Sequence, residues 1–253
     1  MQQSDHCPGP GKLAVVGIGP GHRLDRTFRC EQTILNSDVV VGYPRYLEHI
    51  KDLLQGKEVY SSAMTKEVER CHLAVDKALA GYRVALISSG DAGVYGMAGL
   101  ALEILGQKNE FLPVEIVPGV TAGLALGAKL GAPLMLDFAC ISLSDLLVDW
   151  SVIEKRLHAV AQADMTTILY NPKSKKRVWQ IQKAQEIFLS YRSPKNLVSI
   201  GTDLTLDEEK VIITDLEHML EHDINMRSAI IIASSETRKI GPWLVTPRGY
   251  SLN

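Results

Sequence analysis

The sequence predicts an α/β protein of two domains, the first built on a mostly parallel sheet and the second on a mixed sheet. Three observations carry this. Through the first half, short apolar runs alternate with helical stretches of ten or more residues, the pattern of parallel strands joined by crossover helices. Three of those apolar runs end in glycine-rich turns, at 17–21, 88–96 and 118–121. In the second half, the strands at 196–201 and 210–213 are joined by only a short polar connection, which pairs them antiparallel.

Taken in order, 1–10 reads as a disordered leader, 11–119 as an N-terminal α/β domain and 120–253 as a C-terminal one. K-L-A-V-V-G-I at 12–18 is the first strand, broken by Gly19-Pro20-Gly21. A helix over 27–36, a strand at 38–42, a helix over 43–54, a short strand at 57–60 and a helix over 65–80 follow. Val84-Ala85-Leu86-Ile87 is a short apolar run suited to a buried strand. After it, Met97, Leu100, Ala101 and Ile104 recur at helical spacing, and 114–117 is the next strand. The small residues of 121–131 form a helix closed by Gly131-Ala132-Pro133. Strands then fall at 138–142, 166–170, 196–201, 210–213 and 228–233, with helices over 151–163, 175–191 and 215–222.

Composition narrows the class. The chain has 253 residues, 46% hydrophobic and 22% charged, as in a soluble globular protein. A net charge of −2 makes no field that would attract nucleic acid or an anionic membrane. No uncharged run reaches the ~18 residues a membrane helix needs. The first residues lack an apolar signal core, so the cytoplasm is the expected compartment. Cys7, Cys30, Cys71 and Cys140 are scattered without a C-x-x-C pair, which points away from a zinc site or a disulfide framework.

The chemistry is expected at the turns. S-S-G-D-A-G-V-Y-G-M-A at 88–98 links a buried strand to a helix, and ligands of open α/β sheets sit at the carboxyl ends of strands. Gly90, Gly93 and Gly96 permit close approach there, and Asp91 either caps the next helix or faces a ligand. At 17–22, G-I-G-P-G-H departs from a dinucleotide fingerprint. His22 stands where glycine is wanted, and Pro20 lacks an N–H for a pyrophosphate. That disfavours a nicotinamide-dependent dehydrogenase. In V-P-G-V-T-A at 117–122, Thr121 caps the following helix or offers its hydroxyl to a ligand. Tyr170-Asn171-Pro172 is followed by Lys173, Lys175, Lys176 and Arg177, either a solvated helix face or a grip for an anionic substrate. His218 to His222 matches H-x-x-E-H, the inverted zincin signature. On a helical wheel, however, both histidines lie opposite the Leu216, Met219 and Leu220 face, so no metal is expected.

In this order the turns resemble those of the tetrapyrrole (corrin/porphyrin) methyltransferase superfamily: G-I-G-P-G its first loop, S-S-G-D-A-G-V-Y-G its G-D-x-x-x-Y-G signature, V-P-G-V-T-A its linker. Within it the chain is most similar to the branch of precorrin-3B C(17)-methyltransferases and their cobalt-factor III counterparts. Val41-Gly42-Tyr43 with Tyr46, Met97-Ala98-Gly99, Gly131-Ala132-Pro133 with Asp137-Phe138, and I-S-L-S-D-L-L at 141–147 carry that closer match. Y-N-P-K-S at 170–174 and T-P-R-G-Y at 246–250 complete it. Arg26-Thr27 departs from the family's usual Met-Thr pair.

The resemblance implies S-adenosylmethionine as methyl donor, bound between two α/β domains of a homodimer. The cofactor contacts it carries over are Pro20, Ser89, Gly90, Asp91, Val94, Thr121, Ala122, Asn171, Gly201, Ala233 and Ser234. The implied reaction methylates carbon 17 of the macrocycle and contracts the ring, a step of cobalamin biosynthesis. A tetrapyrrole bears many carboxylates, and Arg23, Arg26, Lys173, Lys175, Arg177, Arg238 and Arg248 are the candidate cations to meet them. Ring contraction needs proton management, with Asp145, Ser142 and Ser144 as the candidate catalytic cluster. The alternative for that cluster is a turn capped by Ser144 or Asp145. Rival functions are methylation at another macrocycle carbon, a nicotinamide-dependent dehydrogenase, and a non-catalytic macrocycle carrier.

Overall fold

In the computed structural model, which describes residues 10–63 and 65–251, the chain divides after Thr121 into two compact units. The first runs β1 (Lys12–Gly17), α1 (Phe28–Leu35), β2 (Val39–Gly42), α2 (Pro44–Glu48), β3 (Glu58–Ser61), α3 (Glu67–Leu79), β4 (Arg83–Ser88), α4 (Ala98–Lys108), β5 (Val114–Val117). Its sheet has the order β3-β2-β4-β1-β5, and every pairing is parallel. Strands covered on both faces read as unbroken apolar runs. Leu13, Val15, Val84 and Leu86 face Cys71, Ala74 and Val75 of α3. Their alternates Ala14, Val16, Ala85 and Ile87 face Cys30 and Ile34 of α1.

The second unit runs α5 (Ala122–Leu130), β6 (Gly131–Ala132), β7 (Phe138–Ser142), α6 (Trp150–Gln162), β8 (Thr166–Tyr170), α7 (Gln180–Leu189), β9 (Leu197–Thr202), β10 (Lys210–Asp215), β11 (Ser228–Ile232), β12 (Arg238–Ile240), β13 (Trp243–Val245). Its main sheet, β10-β9-β11-β8-β7, is mixed: β7 pairs with β8 in parallel, and the other pairings are antiparallel. One face buries Ile153, Leu157, Phe188, Val198 and Ile230; the other packs Ile168 and Ile231 on Leu126 and Leu130 of α5. A small sheet, β12-β13-β6, stands beside it.

Several expected boundaries move. α7 begins at Gln180 instead of 175 because Ser174 holds the preceding residues in a turn: its Oγ accepts from Lys176 N at 3.3 Å and Arg177 N at 3.0 Å. Such side-chain bonds compete with the first helical turn. The helix expected over 43–54 stops at Glu48 and resumes only as a 3-10 turn, Lys51–Leu53. Over 215–222 there is no α-helix, only the 3-10 turn Met219–Glu221. The strands β6, β12 and β13 are too short to leave an alternating pattern. The leader expected over 1–10 lies, apart from Pro10, outside the described residues. Among the described residues no helix is long and apolar enough to cross a membrane.

Candidate active site

In the first unit β4, β1 and β5 are neighbours, so their carboxyl ends open side by side. The main chains there are stitched together. Gly19 N donates to Gly90 O at 3.1 Å, and Gly90 N returns a bond to Gly19 O at 2.8 Å. Gly90 reaches this geometry with φ +62°, a conformation open to glycine at little cost. Its carbonyl lies against the loop that follows β5, where a Cβ on Gly119 would stand 2.2 Å from Gly90 O. Asp91 locks the arrangement. Its Oδ1 accepts from Gly93 N at 2.8 Å and Val94 N at 3.2 Å, and its Oδ2 from Gly119 N at 3.0 Å.

Asp91 therefore caps no helix: α4 starts at Ala98, with no side-chain cap. Its carboxylate organises the turn. Pro20, Ser89 and Val94 are half-buried beside it, and Thr121 is buried. Tyr95, the tyrosine of the G-D-x-x-x-Y-G turn, is exposed in a left-handed conformation at φ +53°. Stretches 17–21, 88–96 and 117–121 contain no Lys, Arg or His, and Asp91 is their single charge. This junction suits a ligand that carries positive charge.

In the second unit, Ser142 and Tyr170 end β7 and β8 in register. Asn171 follows at φ +50°, and its Nδ2 donates to Ser142 Oγ at 3.0 Å. Ser144 N donates to the same oxygen at 3.2 Å. Arg177 Nη2 donates to Asn171 O at 2.7 Å and Nη1 to Ser144 Oγ at 3.4 Å. Gln180 Nε2 donates to Asp145 Oδ2 at 2.8 Å. Burial pulls the Arg177 pKa down, and the Asp145 charge opposes that pull. Ser142, Ser144, Asp145, Asn171 and Arg177 thus come together. Neither Ser144 nor Asp145 caps α6, whose N-cap is Asp149, accepting from Ser151 N at 2.8 Å.

Other candidates do not join them. Ala233 and Ser234 lie at the opposite end of the main sheet from Asn171. β11 is antiparallel to β8, with Ile230 opposite Leu169 and Ile232 opposite Thr167, so the chain leaves β11 beside the start of β8. There Ser234 N donates to Thr166 Oγ1 at 3.2 Å. Ligands gather at carboxyl ends when strands are parallel, and β11 breaks that condition. Arg238 follows close by, since its neighbour Thr237 bonds Ser234 through Oγ1 at 3.2 Å. Arg248 is exposed beyond β13. Gly201 does lie near the Tyr170 end, level with Ala229. However, Leu126 and Leu204 atoms lie 2.7 and 2.8 Å from where its Cβ would be, so packing already demands glycine there.

Arg26 is not a substrate cation. Its side chain is 3% exposed and forms a two-pronged pair with Asp52, at 2.9 and 3.0 Å, while also donating to His49 O. Arg23 is exposed on a 3-10 turn, Lys175 is exposed and Lys173 half-buried. Met226 and Arg227 lead into β11 at the Asn171 end, where Met226 Sδ accepts from Arg177 Nη2 at 3.5 Å and Arg227 Nη2 pairs with Asp203 Oδ2 at 3.2 Å. The sequence hid them because an antiparallel strand brings its leading loop to that edge.

His218 and His222 do not share a helix face. His218 Nδ1 bonds Asp215 Oδ1 at 2.6 Å, which raises its pKa, and His222 is already extended. Asp215, Glu217 and His218 have ligand atoms within 4.8 Å of one another. Lys195 Nζ already pairs with both carboxylates, at 3.3 and 2.9 Å.

The family model for tetrapyrrole (corrin/porphyrin) methylases matches residues 12–220. The chain belongs to this family. It is 46% identical over 244 residues to the cobalt-factor III methyltransferase of Priestia megaterium, covering 95% of this chain and 45% of that protein. It is 40% identical over 240 residues to the probable cobalt-factor III C(17)-methyltransferase of Salmonella typhimurium, covering 95% of this chain and 100% of that one. Against the first of these relatives, then, the chain spans less than half the length; against the second, the whole. Among solved structures, the methyltransferase CobJ superposes with a TM-score of 0.89 at 33% identity, covering 94% of this chain and 100% of that one.

Proposed function

We propose that this methylase transfers a methyl group from S-adenosylmethionine to carbon 17 of a cobalt-factor III or precorrin-3B macrocycle, with ring contraction, in cobalamin biosynthesis. The observation that carries the cofactor assignment is the stitched junction of Gly19, Gly90 and Gly119, a main-chain surface whose single charge is Asp91. S-adenosylmethionine supplies a methyl group on a sulfonium, already a good leaving group, so the protein's part is chiefly positioning. Pro20, Ser89, Gly90, Val94, Thr121, Ala122 and Asn171 are the residues proposed to hold it. Asp91 acts by fixing the turn, which keeps its carboxylate's negative charge at the junction. The relatives' names favour carbon 17 and the cobalt-bearing macrocycle.

On the substrate side, Arg23, Lys173 and Lys175 are proposed to meet carboxylates. Ser142, Ser144 and Asp145 are the proposed proton-handling cluster. Ser142 Oγ accepts two N–H bonds, which leaves its own hydroxyl proton to be directed elsewhere. A cytoplasmic homodimer that binds neither nucleic acid nor membrane completes the proposal.

The deciding experiment is an anaerobic assay of the purified chain with labelled S-adenosylmethionine and either the cobalt-loaded or the metal-free macrocycle, with the product's methyl position read by NMR. Label at carbon 17 of a contracted ring is the expected result. Label at another carbon would assign a different methylase reaction, and binding of NAD without S-adenosylmethionine would overturn the proposal.

A further inference from the structure

Asn171 is held in a left-handed conformation, φ +50°, which a non-glycine residue keeps only when its surroundings fix it. Its carbonyl comes after the last residue of β8, beyond the ladder. Arg177 supplies what the ladder does not. Ser174 N donates to Arg177 O at 2.9 Å, and Ser174 Oγ accepts from Arg177 N at 3.0 Å. The chain thereby returns towards the end of β8. The guanidinium then donates to Asn171 O at 2.7 Å and to Ser144 Oγ at 3.4 Å, with Met226 Sδ at 3.5 Å. A bond from an ionised donor is stronger than a neutral one. Both Nη atoms are thus committed to the protein, while Arg177 Nε is buried with no hydrogen-bond partner, at a desolvation cost.

We infer that Arg177 is a positioning residue: it fixes the Asn171 turn, ties it to the loop after β7, and does not grip substrate carboxylates. The inference rests on the proposed function, in which Asn171 meets the cofactor. One arginine thus sets the shape of two strand ends, with Asn171 and Ser144 as its terminals. Lys173, half-buried, and Lys175, exposed, belong to the same loop and remain for the substrate.

The test is calorimetric titration of the full-length chain with S-adenosylhomocysteine, alongside steady-state kinetics. Arg177→Met should weaken binding at least about tenfold, the loss expected for a hydrogen bond from a charged group. Arg177→Lys should recover part of that, because an ammonium keeps the charge without the two-pronged reach. Ser174→Ala, which only loosens the returning turn, should weaken binding less but in the same direction, and it serves should Arg177→Met fail to fold. Combining Asn171→Ala with Arg177→Met should cost little beyond the worse single change, the mark of coupled residues. KM for the cofactor should rise while KM for the tetrapyrrole stays within about twofold. If Asn171→Ala weakens binding but Arg177→Met and Ser174→Ala do not, or if Arg177→Met raises the tetrapyrrole KM instead, the inference fails and the proposed function stands. Unchanged affinity in Asn171→Ala would overturn the inference alone, because the cofactor assignment is carried by the Gly19, Gly90 and Gly119 junction.

Discussion

Asp91 Oδ2 accepts the backbone N–H of Gly119 at 3.0 Å, joining the loop after β4 to the loop after β5. Its other oxygen accepts from Gly93 and Val94, so one carboxylate satisfies three amides. Asn at this position would place a donor against at least one of those donors. Asp91→Asn should therefore destabilise the first unit by about 1 kcal/mol, the low end of the cost of leaving an N–H unpaired because these groups are only partly buried, and should weaken S-adenosylhomocysteine binding. Urea unfolding followed by circular dichroism and calorimetry check the two parts.

Two glycine substitutions should move stability in opposite directions. An added Cβ at Gly119 meets Gly90 O at 2.2 Å, whereas one at Gly106, within α4, meets nothing within 4 Å. Gly119→Ala should cost about 1–3 kcal/mol by overpacking. Gly106→Ala should stabilise by about 0.5–1 kcal/mol by restraining the unfolded chain. Paired thermal melts decide it, and a stable Gly119→Ala protein would show that the junction can open.

Changing Lys173 and Lys175 together to Gln should lower tetrapyrrole affinity and flatten its dependence on salt. Exposed ion pairs are worth only about 0.2–1 kcal/mol each and are screened by added salt, so the double change is needed to see the effect. Affinity measured between low and high salt, with cofactor affinity as the internal control, tests this.

Arg26 should matter for acid stability and not for catalysis. The hydrogen bond from its guanidinium holds the Asp52 carboxyl below the usual range, against a smaller opposing desolvation. A depressed folded pKa contributes stability above the carboxyl's unfolded pKa and loses it as pH falls through the folded value. Arg26→Met should be less stable than the parent at neutral pH, and the gap should narrow below pH 3.8, the ordinary Asp value. Denaturant melts across that range, with KM for the tetrapyrrole unchanged, are the expected result.

His218→Ala combined with His222→Ala should keep activity, and elemental analysis should find no stoichiometric zinc before or after. The hydrogen bond to Asp215 raises the His218 pKa. What the charged pair adds is present below the ordinary imidazole value and is lost as pH rises through the raised one. An NMR titration should place His218 above 6.5, and Asp215→Asn should bring it down.

Legibility followed how local each signal was. The parallel sheet was readable because Leu13 to Val16 and Val84 to Ile87 are apolar on both faces. The three glycine turns were readable because a strand end followed by glycine has few other meanings. What Asp91 does was not, since Gly119 is distant in sequence and a main-chain donor has no letter. Nor did the sequence separate Arg177 from Lys173 and Lys175, because that distinction depends on Ser174 turning the chain back. Ala233 and Ser234 fall at the far end of the sheet from Asn171 for a topological reason: nothing in S-A-I-I-I states that the strand runs the other way.

The stitched junction has a consequence for how this protein could be dissected. Where recognition is carried by main-chain amides and carbonyls, truncating side chains removes little of it, and a conventional alanine scan across 17–21 and 117–121 would pass over the surface nearly in silence at Val120, while at the buried Ile18 it would report only lost packing. The informative alleles are those that alter the backbone itself: an added methyl at Gly119, a proline in place of Ser89, or an amide-to-ester replacement at the Gly19 to Gly90 pair. A mutational landscape of this protein would then show intolerant glycines beside tolerant neighbours, a signature of geometry over chemical identity.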